Sequence, residues 1–537
     1  MSTGGLSGPR PFFSIHAADN LFRYFPVINM LQTALNTPEY FTVTFELVPR
    51  QGFDRKHVDP LLDFARQARE DSRITALSIT DNPGGNPALA PVAIGTELVD
   101  IGMEPIIHFS LKDKNRNQIG SHIYLYQHLH LRSLLVMGGD FPNRGYYGRG
   151  KPVYDLDSVQ VLQLLKDMEK GLYPDRSGKR KEQYPAPNIF KGCAVSPFKI
   201  SEAEQVWQYV KLLQKIRAGA DFVITQVGFD IRKFKELTDF LHERRIRIPL
   251  LANVFIPTLP LARALAAGKI PGIFLPEKLV QQMEAEAAAG ADSARLDRAA
   301  FMISRLKKCG YQGVHLGGVN LRFQDIAYVL DRVEELDKEK LPADANYDFP
   351  VPGTWYYFQH PPSDGRKQGD QTARPLTPGT GPGAVRLHQL GHTVLFTEKY
   401  ITGRLFARCC LFCAKKRYRF NILLFLEKTL KRLLYNCQMC GDCTLFHSAF
   451  LCPQWHCPKR LVNGPCGGSN QGRCEVHPER LCFWVRVYKR LDRQSTLTSL
   501  AARPHLPPKD WQREKTSSWV NFFSDQPNEQ EEQKEKE

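Results

Sequence analysis

The sequence predicts an α/β protein: a (β/α)8 TIM barrel followed by a small Cys-rich metal-binding domain. Three observations predict it. From about residue 41 to 337, short β-branched and aromatic runs alternate with amphipathic helical stretches. No G-x-G-x-x-G follows any of these runs, so the fingerprint of a doubly wound dinucleotide-binding sheet is missing. Eleven of the 13 cysteines then fall between Cys409 and Cys482.

In chain order the candidate strands are FTVTFELVP (41–49), ALSITD (76–81), EPIIHFSL (104–111), SLLVMGGD (133–140), NIFKGCAVS (188–196), FVITQVG (222–228), IPLLANVF (248–255) and GVHLGGVN (313–320). Between them lie VDPLLDFARQARE, SEAEQVWQYVKLLQKIRAG, IRKFKELTDFLHERR and FQDIAYVLDRVEEL, whose apolar residues recur at helical spacing. Eight strand–helix units accord with the ~250 residues such a barrel typically needs. The domains expected are an N-terminal extension (1–39), the barrel (40–340), a Pro/Gly-rich linker (341–395), the Cys-rich module (396–495) and a largely disordered polar tail (496–537) ending SDQPNEQEEQKEKE.

At 537 residues the chain exceeds what one growing core accommodates, so more than one domain is expected. No run approaches the ~20 apolar residues a membrane span needs. The start MSTGGLSGPRPFFSIHAADN lacks a secretory pattern, which points to the cytoplasm, where structural disulfides are not expected. The net charge of +16 suits an acidic partner, either nucleic acid or an acidic electron carrier. No Arg/Lys stripe interleaved with aromatics is evident, so a merely basic surface is favoured over a nucleic-acid face.

In such a barrel the chemistry belongs at the C-terminal ends of the strands. Those ends read Glu46 and Pro49, Thr80 and Asp81, His108, Asp140, Ser196 and Gln226. Six successive strands ending in a polar residue favour a polar pocket, because buried polar groups need partners. Glu46 lies in an apolar run, where desolvation is expected to raise its pKa and suit it to donate a proton. Asp140, framed by glycines in GGDFP, sits where backbone can approach a flat ligand.

The ordered set TFELVP, SITDN, PIIHFS, VMGGDFP, LQKIRAGADFVITQ and VGFD resembles methylenetetrahydrofolate reductases, flavin-dependent (β/α)8 barrels, over about residues 40–337. The resemblance implies reduction of a methylene bridge on a folate substrate to a methyl group, in one-carbon metabolism. It implies Glu46 as general acid, Gln226 as the pterin-binding amide, and Asp140 between pterin and flavin. Thr80, His108, Gly139 and Lys215 would help hold the flavin, FAD with FMN as the alternative. The chain departs from the family in having Gly138-Gly139-Asp140 for Arg-Gly-Asp, and DNPGGN for a YGAN-like turn. Arg144 and Arg149 are candidate substitutes as phosphate contacts.

In the Cys-rich segment, Cys437-x2-Cys440-x2-Cys443 is followed by Cys452-Pro453, and then by Cys457, Cys466, Cys474 and Cys482. Eight thiols suit two [4Fe-4S] clusters, or one cluster and one structural metal. Zinc is the alternative, though four-cysteine zinc sites usually come as paired C-x2-C knuckles. His447 and His456 are ordinary loop residues or substitute ligands; Cys409, Cys410 and Cys413 are accessory ligands or small buried hydrophobes. Over about 435–492 the pattern C-x2-C-G-x-C…CP…CPK-x-L-x-NGPCGG…G-x-CE resembles the partner domain of the reductases of acetogenic bacteria. That resemblance implies electron delivery to the flavin from NAD(P)H, ferredoxin or another redox protein. Two alternatives stay open: a folate-binding scaffold with a structural zinc domain, and the reverse, methyl-oxidising direction. Oligomeric state is also open, a homo-oligomer included.

Overall fold

The computed structural model describes residues 30–172, 185–338, 348–359, 372–379, 383–492 and 494–525. Its strands are β1 (Thr42–Leu47), β2 (Ala76–Ile79), β3 (Glu104–Ser110), β4 (Ser133–Met137), β5 (Phe190–Val195), β6 (Phe222–Thr225), β7 (Leu250–Ile256) and β8 (Gly313–Gly318). They close into a parallel barrel in sequence order, β8 pairing back on β1. The surrounding helices are α1 (Met30–Leu35), α2 (Arg55–Asp71), α3 (Pro91–Ile101), α4 (Arg116–His128), α5 (Ser158–Met168), α6 (Glu202–Arg217), α7 (Ile231–Glu243), α8 (Leu259–Ala266), α9 (Glu277–Ala288), α10 (Ala294–Lys308) and α11 (Phe323–Lys338). Beyond the barrel come α12 (Gly383–Phe396), α13 (Ile401–Ala414), α14 (Arg417–Tyr435), α15 (Pro453–His456), α16 (Phe483–Tyr488) and α17 (Leu497–Ala501).

Strand alternation explains the layering. Along β1, Phe45 points outward and stacks on Phe64 of α2 at 4.3 Å, while Thr44 and Glu46 point into the barrel. The expected N-terminal extension contributes a plug within its described part. Leu31 and Leu35 of α1 are buried among Ile106, Leu135, Phe190 and Phe222 at the N-terminal end of the strands, and the Leu31 amide donates to Glu104 Oε2 at 2.8 Å.

Two expected boundaries differ from the structure. The described parts of 341–395 are not a free linker. Residues 348–359 strap the barrel, with Phe349 and Phe358 buried and the Tyr357 amide donating to the buried Glu236 Oε2 at 2.6 Å. Residues 383–395 belong to α12. A few aromatic anchors in WYYF overcome the Pro/Gly bias of this stretch. The expected disordered tail is folded through residue 525. Ser517 and Ser518 hydrogen-bond Glu427 of α14, while Val520 and Phe523 pack with Cys410 and Leu423. Residues 526–537 lie outside the described residues.

The Cys-rich module is seated on the barrel through α6 and the β4 and β5 loops. Trp207 of α6 donates its indole N–H to the Trp484 carbonyl at 2.9 Å, and the two rings pack edge to face at 4.8 Å. Lys211 donates to the carbonyls of Gly464 (3.2 Å) and Pro465 (2.9 Å). Asp157 caps α5 through Oδ1 and accepts the Asn463 amide on Oδ2 at 3.2 Å, so one carboxylate ends a barrel loop and receives the module. Lys199, just past β5, donates to the Ser469 carbonyl at 2.7 Å.

One of these links carries a buried ion pair, at Lys459. Its ammonium pairs with Glu475 and donates to the Gly139 carbonyl at 2.9 Å, with the Lys459 and Glu475 side chains 4% and 8% exposed. Room for Glu475 exists only because Gly468 lacks a side chain: a Cβ there would lie 1.2 Å from Oε2. Truncating either partner strands a buried charge, so Lys459→Met alone is expected to lower stability by ~3–5 kcal/mol. The double variant Lys459→Met, Glu475→Leu removes both charges and is expected to recover a large part of that loss, measured by urea denaturation.

Candidate functional site

At the mouth of the barrel, three strands aim ionisable groups at one point. Glu46 of β1 is partly exposed, its side chain at 24%. His108 from β3 and His315 from β8 each place Nε2 3.9 Å from Glu46 Oε2. His315 is oriented by Thr44, whose hydroxyl lies 2.8 Å from Nδ1, and by Ser78 of β2, 3.4 Å from Nε2. The parallel register dictates this meeting, since Thr44 stands opposite His315 and Glu46 opposite Ser78.

Burial pushes the Glu46 carboxyl up, but its interaction with His315 and the potential of both imidazoles outweigh that and hold it below the ordinary glutamate value. Burial also drives His108 down to about 4, so this ring is neutral at pH 7, and the hydrogen bond with His315 is the larger histidine contribution to Glu46. The expectation of a raised pKa is therefore overturned in the ligand-free protein. Both imidazoles come from strands far from β1 in the chain, and the apolar run around Glu46 gives no hint of them.

Several buried polar atoms at this end lack a hydrogen-bond partner: Thr80 Oγ1, His108 Nε2, Ser196 Oγ and Asn253 Oδ1. Unsatisfied groups converging from β2, β3, β5 and β7 fit a polar ligand that supplies the missing partners. Gln226 follows β6, half-buried, with its Oε1 accepting the Val227 amide at 2.9 Å.

Asp140 is exposed beyond β4, and its Oδ2 accepts the Gly84 amide at 2.8 Å. The Asn143 amide donates to the Gly85 carbonyl at 2.9 Å. Gly85 has a φ of +73°, and a Cβ there would lie 2.1 Å from the Phe141 carbonyl oxygen. The two departures from the family pattern, DNPGGN and GGD, are thus two halves of one contact. Gly138 faces open space, and the Gly139 carbonyl accepts from Lys459 and, at 3.3 Å, from the Tyr154 hydroxyl. Arg149 lies over the Phe141 ring at 5.5 Å.

Lys215 is not brought to this group. It lies near the C-terminal end of α6, buried, and donates to the Ala194 carbonyl of β5 in the layer between helix and barrel. Sequence reasoning also passed over His315, Asn253 and Lys459. A lone histidine in the apolar run GVHLGG was the available signal for His315 and the CPK motif for Lys459; nothing local marks Asn253.

The eight thiols sort into two sets. Cys437, Cys440, Cys443 and Cys452 line one small cavity. Cys457, Cys466, Cys474 and Cys482 are mutual electrostatic neighbours. Burial pushes Cys440 and Cys457 each up to about 12, with adjacent thiols adding to the rise. Such groups ionise when a cation takes the proton's place, which is the chemistry of a metal donor set. Among the described residues, no three of these thiols have sulfurs mutually within 4.8 Å. A tetrahedral zinc site of four thiolates, with Zn–S of ~2.3 Å, brings its sulfurs to ~3.8 Å. Cys410 is buried with Leu423 and Val520, apart from both sets. His456 Nδ1 lies 3.0 Å from an Arg486 guanidinium nitrogen.

No curated protein matches the chain. Among solved structures, an uncharacterized protein from Clostridium thermocellum that binds two copies of 5-methyl-5,6,7,8-tetrahydrofolic acid aligns at 12% identity and a TM-score of 0.40, over 57% of this chain and 99% of its own. Residues 420–512 match the family described as methylene-tetrahydrofolate reductase C terminal. Residues 31–333 match methylenetetrahydrofolate reductase, and the chain belongs to that family.

Proposed function

We propose that the chain reduces 5,10-methylenetetrahydrofolate to 5-methyltetrahydrofolate, with Glu46 as the proton donor. The observation that carries this reading is the Glu46–His108–His315 group at the mouth of a barrel of this family. Opening the five-membered folate ring requires a proton on the leaving nitrogen, and leaves an iminium carbon ready for hydride. The hydrogen bond with His315 is the main interaction that holds the Glu46 carboxyl below the ordinary glutamate value. A flat ligand that covers its exposed edge removes water from the carboxylate and moves its pKa upward, toward a value that suits an acid. Thr44 fixes the His315 ring beside Glu46, which positions the carboxyl.

A flavin held by Thr80, His108 and Ser196 would supply hydride chemistry here, and clusters held by the two thiol sets would supply the electrons that reduce it. The unpartnered Thr80, His108 and Ser196 atoms and the open space over Gly138 support a flavin beside β2 to β5. The flavin proposed is FAD, with FMN as the alternative, and neither Lys215 nor Lys211 is among its contacts. The ammonium of Lys215 is already spent on Ala194, and the face of α6 at Lys211 is covered by the 464–465 loop of the module. The C-x2-C-x2-C run of Cys437, Cys440 and Cys443 supports clusters over paired zinc knuckles. Lys459 ties the second set to Gly139, and so to the place where the flavin is proposed.

Glu46→Gln is expected to keep folate and flavin binding but to slow methyl formation by about a hundredfold or more, read in single turnovers of the reduced enzyme. A mutant of near-normal rate would refute the acid assignment. Cys440→Ser and Cys474→Ser are each expected to remove about half of the iron and acid-labile sulfide per chain while sparing dye-driven reduction. Anaerobically purified protein that is colourless and holds only zinc sinks the electron-transfer reading.

A further inference from the structure

Helices α12, α13 and α14 form a packed layer whose outer surface the described fold leaves uncovered. On α14 the usual polarity is inverted. Inward it presents Glu427 and Lys431, 1% and 7% exposed, paired at 2.9 Å and bonded to Ser517 and Ser518. Outward it presents Tyr418, Ile422, Phe425, Leu426 and Leu433, 55% to 82% exposed, recurring at helical spacing along one stripe. α12 adds Leu387 and Leu390, and α13 adds Ile401, Leu405 and Phe412, all more than half exposed. Exposed apolar side chains that recur along one helix face mark an interaction site.

Charge identifies the partner. Residues 383–435 hold eleven lysines and arginines against two glutamates, a net of +9 out of the chain's +16, and one of those glutamates is the buried Glu427. Arg404, Arg408, Lys415, Lys416, Lys428 and Arg432 are exposed around the apolar side chains. A second copy of the chain would bring the same positive charge against itself, which opposes self-association through this face. A lipid surface offers anionic phosphates over an apolar interior and answers both features at once. No described helix is long and apolar enough to cross a membrane, so the contact is interfacial. We propose that the α12–α14 layer docks this protein on anionic lipid bilayers, its helices lying in the plane of the headgroups. The proposal is independent of the chemistry at the barrel mouth.

The test is co-sedimentation of the full chain with vesicles of phosphatidylcholine alone, or of phosphatidylcholine with phosphatidylglycerol as the minor component. Pelleting with the anionic vesicles is expected to exceed that with the neutral ones by about tenfold and to fall as salt is raised. The variant Ile422→Ser, Phe425→Ser, Leu433→Ser changes only exposed side chains. It should keep the thermal unfolding midpoint and methyl formation while losing vesicle binding. Lys415→Glu, Lys416→Glu, Arg417→Glu should abolish the preference for anionic lipid. Absence of pelleting, or binding that survives both variants, overturns the proposal. So does a dimer in sedimentation velocity that the apolar variant dissociates, because the face then belongs to a second copy.

Discussion

The architecture depends on one buried cation. Lys459 stands between a glutamate of its own module and a main-chain carbonyl at the end of β4. An ammonium removed from water is costly, and its three donors need acceptors held in place. Glu475 supplies the charge and Gly139 a dipole, and Tyr154 shares the same carbonyl while its ring lies 5.4 Å from the ammonium. Module and barrel are thus joined at the loop where the candidate site departs from its family. The joint constrains the Gly138-Gly139 backbone from behind while leaving the space over Gly138 open.

That constraint accounts for the glycine-rich sequences on both sides of it. A bulky residue at Gly85 would collide with Phe141, and one at Gly468 would collide with Glu475. Between them, Asp140 accepts a hydrogen bond from Gly84 instead of reaching outward freely. In the family pattern an arginine occupies the position of Gly138. Here the cation beside this loop arrives from the module, through Lys459.

How far the sequence could be read follows from how local each signal is. The barrel was legible because eight apolar runs and their amphipathic partners each carry their own periodicity, and Glu46, Thr80, His108, Ser196 and Gln226 lie toward or just past the C-terminal ends of their strands. The pKa of Glu46 was not legible, because it is set by His315, which lies 269 positions away along the chain and meets it only when β8 closes on β1. The same holds for Lys215, whose helical motif is plain although its ammonium turns to Ala194. Composition misled at residues 348–359 and 496–525. A few anchors, Phe349, Phe358 and the Ser517–Ser518 pair, order stretches otherwise rich in turn-formers and polar residues.

The thiols and the basic helices apply one electrostatic rule at two depths. Inside the module, burial and neighbouring thiols push Cys440 and Cys457 up to about 12, so these groups ionise only when a cation takes the proton's place. On α14 the rule runs outward. Glu427 and Lys431 cancel inside, where isolated charge is expensive, and the unmatched lysines and arginines remain at the surface, where water screens them. Uncompensated positive charge beside exposed apolar residues then costs little in free solution and gains most against an anionic boundary. The same arrangement that lets α14 fold onto the polar Ser517–Ser518 segment therefore forces its apolar side outward, and the exposed stripe is a consequence of how the helix is anchored.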